Sequence, residues 1–509
     1  MSGIVAAFGN PKLSEIQQMQ ETIKHRGKYA SGIFQKKDVI LGQNYFEVDK
    51  GKKGLMDIPV HSPKDSETRI CYDGQMGNWE TLAQQFGVKN EPFIEERILL
   101  TLFKKYEKGM LEYLKDTIFT FVISDGKKLL VSRDILGIKT LFYGYNKNAD
   151  TIYFSTELKS LIQITSDVYE FPPGHYMDNS GQLKKFGKLP ALATGNMENE
   201  KIDNIAQTLV NIVEESFYRR IDLKYKIGCL LSGGLDSSII SSIFNKFNIK
   251  NNGRGARIKT FSVGVGENED LKYARLMSKY INSEHYEVKA TVSEIINILP
   301  RVIYYLESFD PSLVRSSVSN FLVARYARSQ GIQILLSGEG VDELFGGYTH
   351  FKDSSKKNIF KQQKDTLEAL HDNAALRLDR MNSCHSIKVI TPFISEELLN
   401  FALEIPIECK IKKMDNGNMI EKWILRKAFK EQLPTSIIWR TKQEFSKGSG
   451  SANVLKNYFN EIISDKEFLE EKRAYPLIRN KEELYYFRIF IKYFGDGKAI
   501  QTVGQWNYT

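Results

Sequence analysis

The sequence has few cysteines, and none of them is spaced for metal binding. The four in 509 residues are Cys71, Cys229, Cys384 and Cys409, and they include no CxxC pair. This pattern excludes a zinc module and a disulfide-stapled secreted domain, and it favours a reducing compartment. No apolar run is long enough to span a bilayer, and the opening stretch MSGIVAAFGN has no basic leader. We therefore expect a soluble cytoplasmic protein.

The charge is not concentrated in a block either. Lysine plus arginine number 71 and aspartate plus glutamate number 62, so a formal charge of +9 is spread along the chain. Isolated lysine pairs are typical of solvated faces, and no nucleic-acid partner is predicted from them. The hydrophobic fraction of 42% is that of a globular protein, and the length predicts two or three domains.

The chain divides into two regions with different sequence patterns. Up to about residue 185, short strand-like runs punctuated by Gly, Asp and Asn predict a largely antiparallel sheet, with a helix from Ile94 to Lys105. Beyond residue 205, the apolar strands KIGCLLS, KTFSVGV and IQILLSG alternate with helical patterns, which predicts a parallel α/β sheet followed by a mostly helical tail. We expect a domain at 1–190, a linker within 186–204, and a second domain at 205–509.

One short stretch carries the strongest chemical signal. The strand KIGCLL runs into Ser232-Gly-Gly-Leu-Asp-Ser-Ser238 and then into an isoleucine-rich helix, so backbone amides and a helix N-terminus would face one anion. No lysine follows Gly234 as in a Walker P-loop, and kinase-type chemistry is disfavoured. A glycine turn with serine caps is the alternative interpretation.

Two aspartates follow predicted strands and are candidate magnesium ligands. Asp236 lies inside the glycine loop, and Asp342 lies in the turn LSGEGVDE. Hard carboxylate oxygens at these places would bridge Mg²⁺ to phosphate, although each aspartate alone could instead be a helix cap. Together they favour a site for ATP and Mg²⁺.

The loop resembles the pyrophosphate loop of ATP pyrophosphatases, and the rest of the chain resembles the asparagine synthetase family, which includes the β-lactam synthetases. The similarity spans nearly the whole chain. The matching segments are TFSVGV (260–265), EDLKYA (269–274), SFDPSLVRSS (308–317), LLSGEGVDELFGGY (335–348), DRMNSCHS (379–386), TPF (391–393) and RTKQEFSKGSG (440–450). The resemblance implies an α/β protein of two domains, an N-terminal nucleophile (glutaminase-like) domain and a C-terminal ATP-pyrophosphatase domain.

The resemblance also implies roles for particular residues. Lys442 matches a catalytic lysine, and Glu339 matches the position that handles the amine, where a glutamate favours ammonia-type amidation over ring closure. The acceptor substrate is expected at Arg315, Glu339, Gly340, Asp342 and Lys388. ATP is expected at Leu231, Ser232, Gly233, Gly234, Leu235, Asp236, Ser237, Ser238, Ser262, Val263, Gly264 and Gly338.

The N-terminal half fits the scaffold of a glutaminase but not its active residues. SGIVAAFGN, HRGKYASG, VSRDILGIKTLFYG, FSTELKSL and FPPGHY match the family. Ser2 stands where the nucleophilic cysteine is expected, and a serine hydroxyl is a far weaker nucleophile near neutral pH. Tyr45, Asp73-Gly74 and Ile94 stand where a glutamine-binding arginine, the Asn-Gly of the oxyanion site and an aspartate are expected. We interpret the pocket as a vestigial glutaminase.

A further departure lies near the acceptor pocket. The family pattern HSxExRxPF is replaced by a segment in which Lys388 and Ile390 take the acidic and the basic positions. A cation in place of an anion changes which charged group can be held there, so the acceptor is predicted to differ from free aspartate.

Several hypotheses about function stay open at this point. The leading one is an AMP-forming amide ligase that joins a carboxylate to ammonia or another amine. The alternatives are a β-lactam synthetase-like enzyme acting on one bifunctional substrate, a catalytically dead regulatory or binding protein, and an asparagine synthetase whose nucleophile was replaced by Ser2. A homodimer is a family expectation only.

Overall fold

The computed structural model describes residues 2–46, 57–62, 65–190, 197, 200–253, 255–266, 268–352, 356–415, 417–442, 448 and 450–506 of the chain. Parts of the predicted linker (191–196, 198 and 199) and of the predicted loop after Lys442 (443–447 and 449) lie outside the described residues.

The first half of the chain consists of short strands and a few helices. Its strands are β1 (Gly3–Phe8), β2 (Ala30–Lys36), β3 (Val39–Tyr45), β4 (Val60–Ser62), β5 (Asp65–Met76), β6 (Thr117–Ser124), β7 (Leu129–Arg133), β8 (Phe142–Asn146), β9 (Thr151–Ser155), β10 (Val168–Glu170), β11 (His175–Asp178) and β12 (Leu183–Lys185). Its helices are α1 (Leu13–Thr22), α2 (Trp79–Phe86), α3 (Ile94–Tyr106) and α4 (Leu158–Leu161).

These strands form two antiparallel sheets packed face to face. One has the order β10-β8-β9-β1-β3-β2 and the other the order β12-β11-β7-β6-β5-β4. In β1, Ile4 and Ala6 join the core between the sheets, whereas Val5 and Ala7 pack toward α1, as the two-residue period of a strand requires. Helices α2 and α3 cover the outer face of the second sheet. The predicted antiparallel fold and the helix from Ile94 are confirmed.

The second half alternates strands with longer helices. Its strands are β13 (Ile227–Leu230), β14 (Lys259–Val265), β15 (Glu284–Ala290), β16 (Ile334–Leu336), β17 (Lys388–Ile390), β18 (Lys412–Lys413) and β19 (Met419–Ile420). Its helices are α5 (Ile202–Tyr218), α6 (Leu235–Asn252), α7 (Glu269–Tyr280), α8 (Val292–Leu306), α9 (Pro311–Ser329), α10 (Val341–Phe345), α11 (Lys356–Glu368), α12 (Ala374–Ser383), α13 (Glu396–Glu404), α14 (Ile407–Lys410), α15 (Trp423–Ala428), α16 (Thr435–Ile438), α17 (Ser451–Ile462), α18 (Asp465–Ala474) and α19 (Lys481–Phe494).

The main sheet of this half is parallel, with the order β15-β14-β13-β16-β17. Helices pack on both of its faces, which confirms the predicted α/β architecture. In the sheet, β14 lies on one side of β13 and β16 lies on the other side. The crevice between the carboxyl ends of β13 and β16 is therefore the switch point at which such sheets bind ligands.

Among the residues that the structure describes, none of the helices combines the length and the hydrophobicity that a membrane crossing needs.

A buried cluster of charges joins the two halves, and we call it the central ion cluster. Arg26 is its hub, with ion pairs to Asp73 (3.1 Å), Glu157 (2.9 Å) and Asp379 (2.6 Å). None of its eight side chains is more than 7% exposed. Its four cations and four anions are Arg26, Lys139, Lys159, Arg380, Asp73, Glu157, Glu307 and Asp379.

The cluster connects secondary elements that are far apart in sequence. Glu307, just after α8, accepts hydrogen bonds from the backbone amides of Leu158 (2.9 Å) and Lys159 (2.7 Å) at the start of α4. The Arg380 guanidinium of α12 pairs with both Glu157 (2.9 Å) and Glu307 (2.7 Å). The antiparallel sheets and the helices around the parallel sheet are thus held by shared ion pairs.

We expect Arg26→Met to destabilise the folded chain strongly. Three buried carboxylates would lose their common partner, and breaking a buried pair costs about 3–5 kcal/mol of unfolding free energy. Denaturant unfolding monitored by circular dichroism measures the loss. Arg488→Met is the matched control, because Arg488 pairs with Glu467 and Glu471 at partly exposed positions. Equal, small losses in the two variants would contradict the role given to the cluster.

Candidate active site

The glycine loop lies at the carboxyl end of β13 and leads directly into α6. Gly233 has φ +68°, and a Cβ there would lie 2.3 Å from the backbone of Tyr273, so both the turn and the close approach require glycine. The Ser232 amide donates to Ser237 Oγ (3.2 Å), and the Gly234 amide donates to Ser232 Oγ (3.3 Å). The first amides of α6 have no intrahelical acceptors and lie at this loop, which is the arrangement of an anion site.

Two carboxylates from neighbouring strand ends meet at one lysine. Lys422 Nζ lies 2.6 Å from Asp236 Oδ2 and 2.6 Å from Asp342 Oδ1. Lys422 is 2% exposed and has φ +55°, at the N-terminus of α15. The backbone at Gly338 can lie close to Asp236 only because residue 338 is a glycine, since a Cβ there would lie 2.7 Å from the carbonyl carbon of Asp236.

A second lysine completes this group. Lys442 Nζ lies 2.7 Å from Asp342 Oδ2. Burial alone would raise the pKa of Asp342, but Lys422 and Lys442 hold it below its usual range. Burial likewise lowers the pKa of Lys442, and the attraction of Asp342 and Asp236 outweighs that effect and raises it. Asp342 is therefore ionised and Lys442 charged at neutral pH.

A cavity of about 220 Å³ opens beside this group and is lined from both faces of the parallel sheet. It gathers most residues that the sequence predicted for ATP and the acceptor. The predicted residues that line it are Leu231, Ser232, Gly234, Leu235, Asp236, Ser237, Ser262, Val263, Gly338, Glu339, Asp342 and Lys442.

Other predicted residues lie near this cavity but are not among its described lining residues. Gly233 packs on α7, and the Ser238 side chain is buried in α6. Gly264 packs on Leu271, and Gly340 precedes α10 with φ +95°.

Two charged residues predicted for the acceptor, Arg315 and Lys388, are not among the described lining residues of the cavity. Arg315 forms an ion pair through two nitrogens with the buried Glu482, whose Oε1 also accepts from Tyr486 Oη (2.8 Å). Lys388 begins β17, and its pKa is lowered by burial, with Glu95 and Asp73 acting in the opposite direction. The charges that act on Lys388 include carboxylates of the N-terminal half.

The cavity contains a further ion pair and adjoins a perturbed acid. Glu339 Oε2 lies 2.6 Å from Arg377 Nη2 of α12. Burial, with Asp342 and Glu339 nearby, raises the pKa of Glu343 to about 7. Tyr348 Oη donates to Glu343 Oε1 at 2.6 Å, and this fixes the Tyr348 ring at the cavity.

The carboxylates suit Mg²⁺ in part. Among the described residues, no three His, Cys, Asp or Glu side chains gather as a complete metal cage. Asp236 Oδ1 is buried and has no hydrogen-bond partner within the described chain, so one acceptor is left for a further ligand. Two carboxylates supplemented by phosphate oxygens and water are typical of Mg²⁺ sites. Asp236 and Asp342 therefore suit Mg²⁺ as two of its ligands.

The pocket predicted to be a vestigial glutaminase is filled by its own charges. The Ser2 amide donates to Asp73 Oδ1 (3.0 Å), and the Ser2 carbonyl accepts from Arg26 Nε (3.1 Å). Burial would raise the pKa of Asp73, but Lys139 and Arg26 hold it below its usual range. Gly74 follows in β5, where a Cβ would lie 2.3 Å from Tyr72 Oη.

The remaining residues predicted for that pocket are Tyr45 and Ile94, and each contacts other residues of the N-terminal half. Tyr45 Oη donates to Glu96 Oε1 (3.2 Å), and the Tyr45 ring contacts Phe93 at 5.1 Å. Ile94 begins α3 and packs against the apolar core beneath it. An aromatic and an aliphatic side chain occupy the positions at which the resemblance implies an arginine and an aspartate.

Lys422, Arg377 and Trp506 are among the residues of the cavity that were not predicted from the sequence. Lys422 follows Glu421 in a stretch that reads as an ordinary charged helix start, and Arg377 lies in the middle of a helix. The one available signal was the run EKWILRKAF, which places a lysine directly before a buried helix. Trp506 had no signal, because it reaches the cavity only through tertiary packing.

Comparisons with known proteins identify the family of the chain. The family model described as asparagine synthase matches residues 208–366 and 361–494, and the glutamine amidotransferase domain matches residues 1–180. The glutamine-hydrolyzing asparagine synthetase 2 of Oryza sativa subsp. japonica is 31% identical over 530 residues, covering 99% of this chain and 87% of the relative. Asparagine synthetase 2 of Arabidopsis thaliana is 30% identical, covering 99% and 89%.

A solved structure of glutamine phosphoribosylpyrophosphate amidotransferase from B. subtilis, complexed with ADP and GMP, is 12% identical and covers 57% of this chain and 91% of its own, with a TM-score of 0.33. A TM-score this low does not bear on function. The two family matches and the near full-length relatives show that this chain belongs to the asparagine synthetase family.

Proposed function

We propose that the protein is an ATP-dependent amide ligase that adenylates a carboxylate and transfers the acyl group to ammonia or another amine. One observation carries the proposal. The glycine loop, two aspartates and two lysines converge on one cavity at the switch point of the parallel sheet. An anion-binding loop beside paired carboxylates and cations suits a nucleoside triphosphate in complex with Mg²⁺.

In this proposal the loop amides and α6 bind the triphosphate. Asp236 and Asp342 would hold Mg²⁺, which when bound shields the phosphate charges. A substrate carboxylate oxygen attacks the α-phosphorus, and the bond to the β-phosphate oxygen breaks, leaving an acyl-adenylate and pyrophosphate. Lys442 and Lys422 neutralise the negative charge of the departing pyrophosphate.

In the second step the amine attacks the acyl carbon. The bond between that carbon and the AMP oxygen breaks, and AMP leaves with its electron pair. The amine gives up a proton as the amide forms. Glu339, which lines the cavity and forms an ion pair with Arg377, is the proposed acceptor of that proton. The position of Lys388 outside the described lining leaves this step without a basic group from β17.

The amine is proposed to come from solution or from a partner rather than from glutamine in this chain. The support is the pairing of Ser2, Asp73 and Arg26, and of Tyr45 with Glu96, which uses the groups that would bind glutamine. The domain division at 1–190 and 205–509, the cytoplasmic location and the homodimer stay predictions.

We expect ATP to be cleaved to AMP and pyrophosphate in proportion to amide formed. The reason is that the loop lacks the Walker lysine and surrounds a site for α-phosphate attack. Incubation with ATP, Mg²⁺ and a panel of amino acids and other carboxylates, with ammonium chloride, followed by pyrophosphate assay and nucleotide chromatography, measures this. Stoichiometric ADP and phosphate would refute the proposal.

Asp236→Asn and Asp342→Asn should each lower turnover by roughly a hundredfold to a thousandfold. The reason is that each removes a negative charge from the proposed site for Mg²⁺ and the triphosphate. Lys442→Ala should behave similarly. Asp222→Asn is the matched control, since Asp222 pairs with Lys224 on the partly exposed surface. Pyrophosphate release gives the rates, and thermal melting checks the fold. Near-normal turnover in well-folded active-site variants would count against these roles.

Ser2→Cys should not create glutaminase activity. A cysteine restores the nucleophile only, whereas Tyr45 and Ile94 still lack the charges that would hold the two ends of glutamine. Release of glutamate from glutamine, with and without ATP, is the measurement for the unchanged protein and the variant. Robust, ATP-stimulated release by Ser2→Cys would mean that the pocket is competent and that only its nucleophile is missing.

A further inference from the structure

The segment 503–506 reaches the same cavity from a distant part of the sequence. Trp506 is one of the lining residues, with the glycine loop more than two hundred residues away along the chain. The Trp506 amide donates to Asp310 Oδ2 (3.1 Å), and its carbonyl accepts from Arg479 Nη1 (3.0 Å). Both sides of its peptide backbone are therefore fixed.

The anchor of this segment is a buried charged group. Asp310 is 2% exposed and also caps α9, because its Oδ1 accepts from the Leu313 amide (3.0 Å). Arg479 Nη2 lies 2.7 Å from Asp310 Oδ2 and 2.8 Å from Glu483 Oε1, and Glu483 is fully buried. The backbone at Gly504 lies against Asp372, where a Cβ would come within 2.0 Å of the carboxylate. The segment is built into the fold rather than laid on it.

Trp506 and Tyr348 form an aromatic wall of the cavity. Their ring centroids are 5.3 Å apart with planes tilted by 51°. One face of α9 adds neutral polar groups, because Ser312, Ser316 and Asn320 recur every four residues and all three line the cavity. This part of the lining offers apolar ring surface and uncharged hydrogen-bonding groups.

The cations of the cavity are already paired. Each described arginine or lysine that lines it forms an ion pair with a carboxylate of the protein, and the five are Arg377, Lys422, Arg426, Arg440 and Lys442. Lys422 and Lys442 pair with Asp236 and Asp342, where the triphosphate is proposed to bind. A second carboxylate on the substrate would have to displace an internal partner or be buried against neutral walls, and both are costly.

From these contacts we propose that Trp506 is a specificity-determining residue, and that the activated substrate is a carboxylate whose remaining part is uncharged and carries apolar or aromatic surface. This inference rests on the proposed ligase function and names its substrate class. The Trp506 and Tyr348 rings contact that part of the substrate, and the α9 face binds its neutral polar groups.

The kinetic test compares Trp506→Ala and Trp506→Phe with the unchanged protein. Monocarboxylates with apolar or aromatic remainders, 3-phenylpropanoate among them, are assayed against aspartate, glutamate and succinate by pyrophosphate release. We expect a monocarboxylate to be preferred, and Trp506→Ala to raise its KM about tenfold or more with the KM of ATP unchanged. Trp506→Phe should retain most of the affinity, because a ring remains at the wall. Trp439→Ala is the control, since Trp439 is 47% exposed and outside the described lining.

A binding measurement separates failure of this inference from failure of the ligase function. Titration of the same acids in the presence of ATP and Mg²⁺, followed by tryptophan fluorescence, should show a change with a monocarboxylate that Trp506→Phe loses and Trp439→Phe keeps. If this fluorescence result is obtained without pyrophosphate release, the role of Trp506 in binding is retained and the ligase function is rejected. A preferred dicarboxylate, equal effects on the KM values of ATP and acid, or kinetics of Trp506→Ala like those of Trp439→Ala would overturn the inference.

Discussion

The ion pairs of Arg26 are the constraint on which the arrangement of this chain depends. One fully buried guanidinium serves carboxylates from β5, from the start of α4 and from α12. Buried charges of this kind are tolerated only when each is matched, and the cluster balances four cations with four anions. Asp379 of the cluster and Arg377 of the cavity lie two residues apart on the same helix. The position of that helix, and so of the Glu339–Arg377 pair, is tied to the N-terminal half.

Much of the fold could be predicted from the sequence, because periodicity and glycine placement are local signals. The strand-like runs of the first half, the helix from Ile94 and the three apolar strands after residue 205 all appear in the structure. Strands β15 and β17 gave no such signal. The first reads EHYEVKA, a polar edge strand, and the second is three residues long at the opposite edge. Edge strands have one solvated side, so their sequences lack the apolar run that marks a central strand.

The residues of the candidate site also include some that could be predicted from the sequence and some that could not. Residues in the motifs around Gly233 and Gly338 were found because a turn and a close backbone approach demand glycine, and they brought Asp236 and Asp342 with them. Lys422 and Trp506 were missed, since their contacts arise only when distant segments pack together. Arg315 shows the reverse case. Its motif indicated a substrate contact, but Glu482, more than 160 residues away, is its partner in the structure. No local pattern encodes that pairing.

The placement of Asp73 has an evolutionary consequence. A domain that has lost its chemistry is ordinarily free to decay or to be deleted, because selection no longer acts on its active residues. In the vestigial interpretation proposed above, the pocket around Ser2 shares Arg26 with a helix that borders the second cavity. Deletion of the first half would remove Arg26 from Asp379, Lys159 from Glu307 and Glu157 from Arg380. Under that interpretation, selection would act on the old pocket through the charges that it contributes to its neighbour, and sequence drift there would be limited to changes that preserve them.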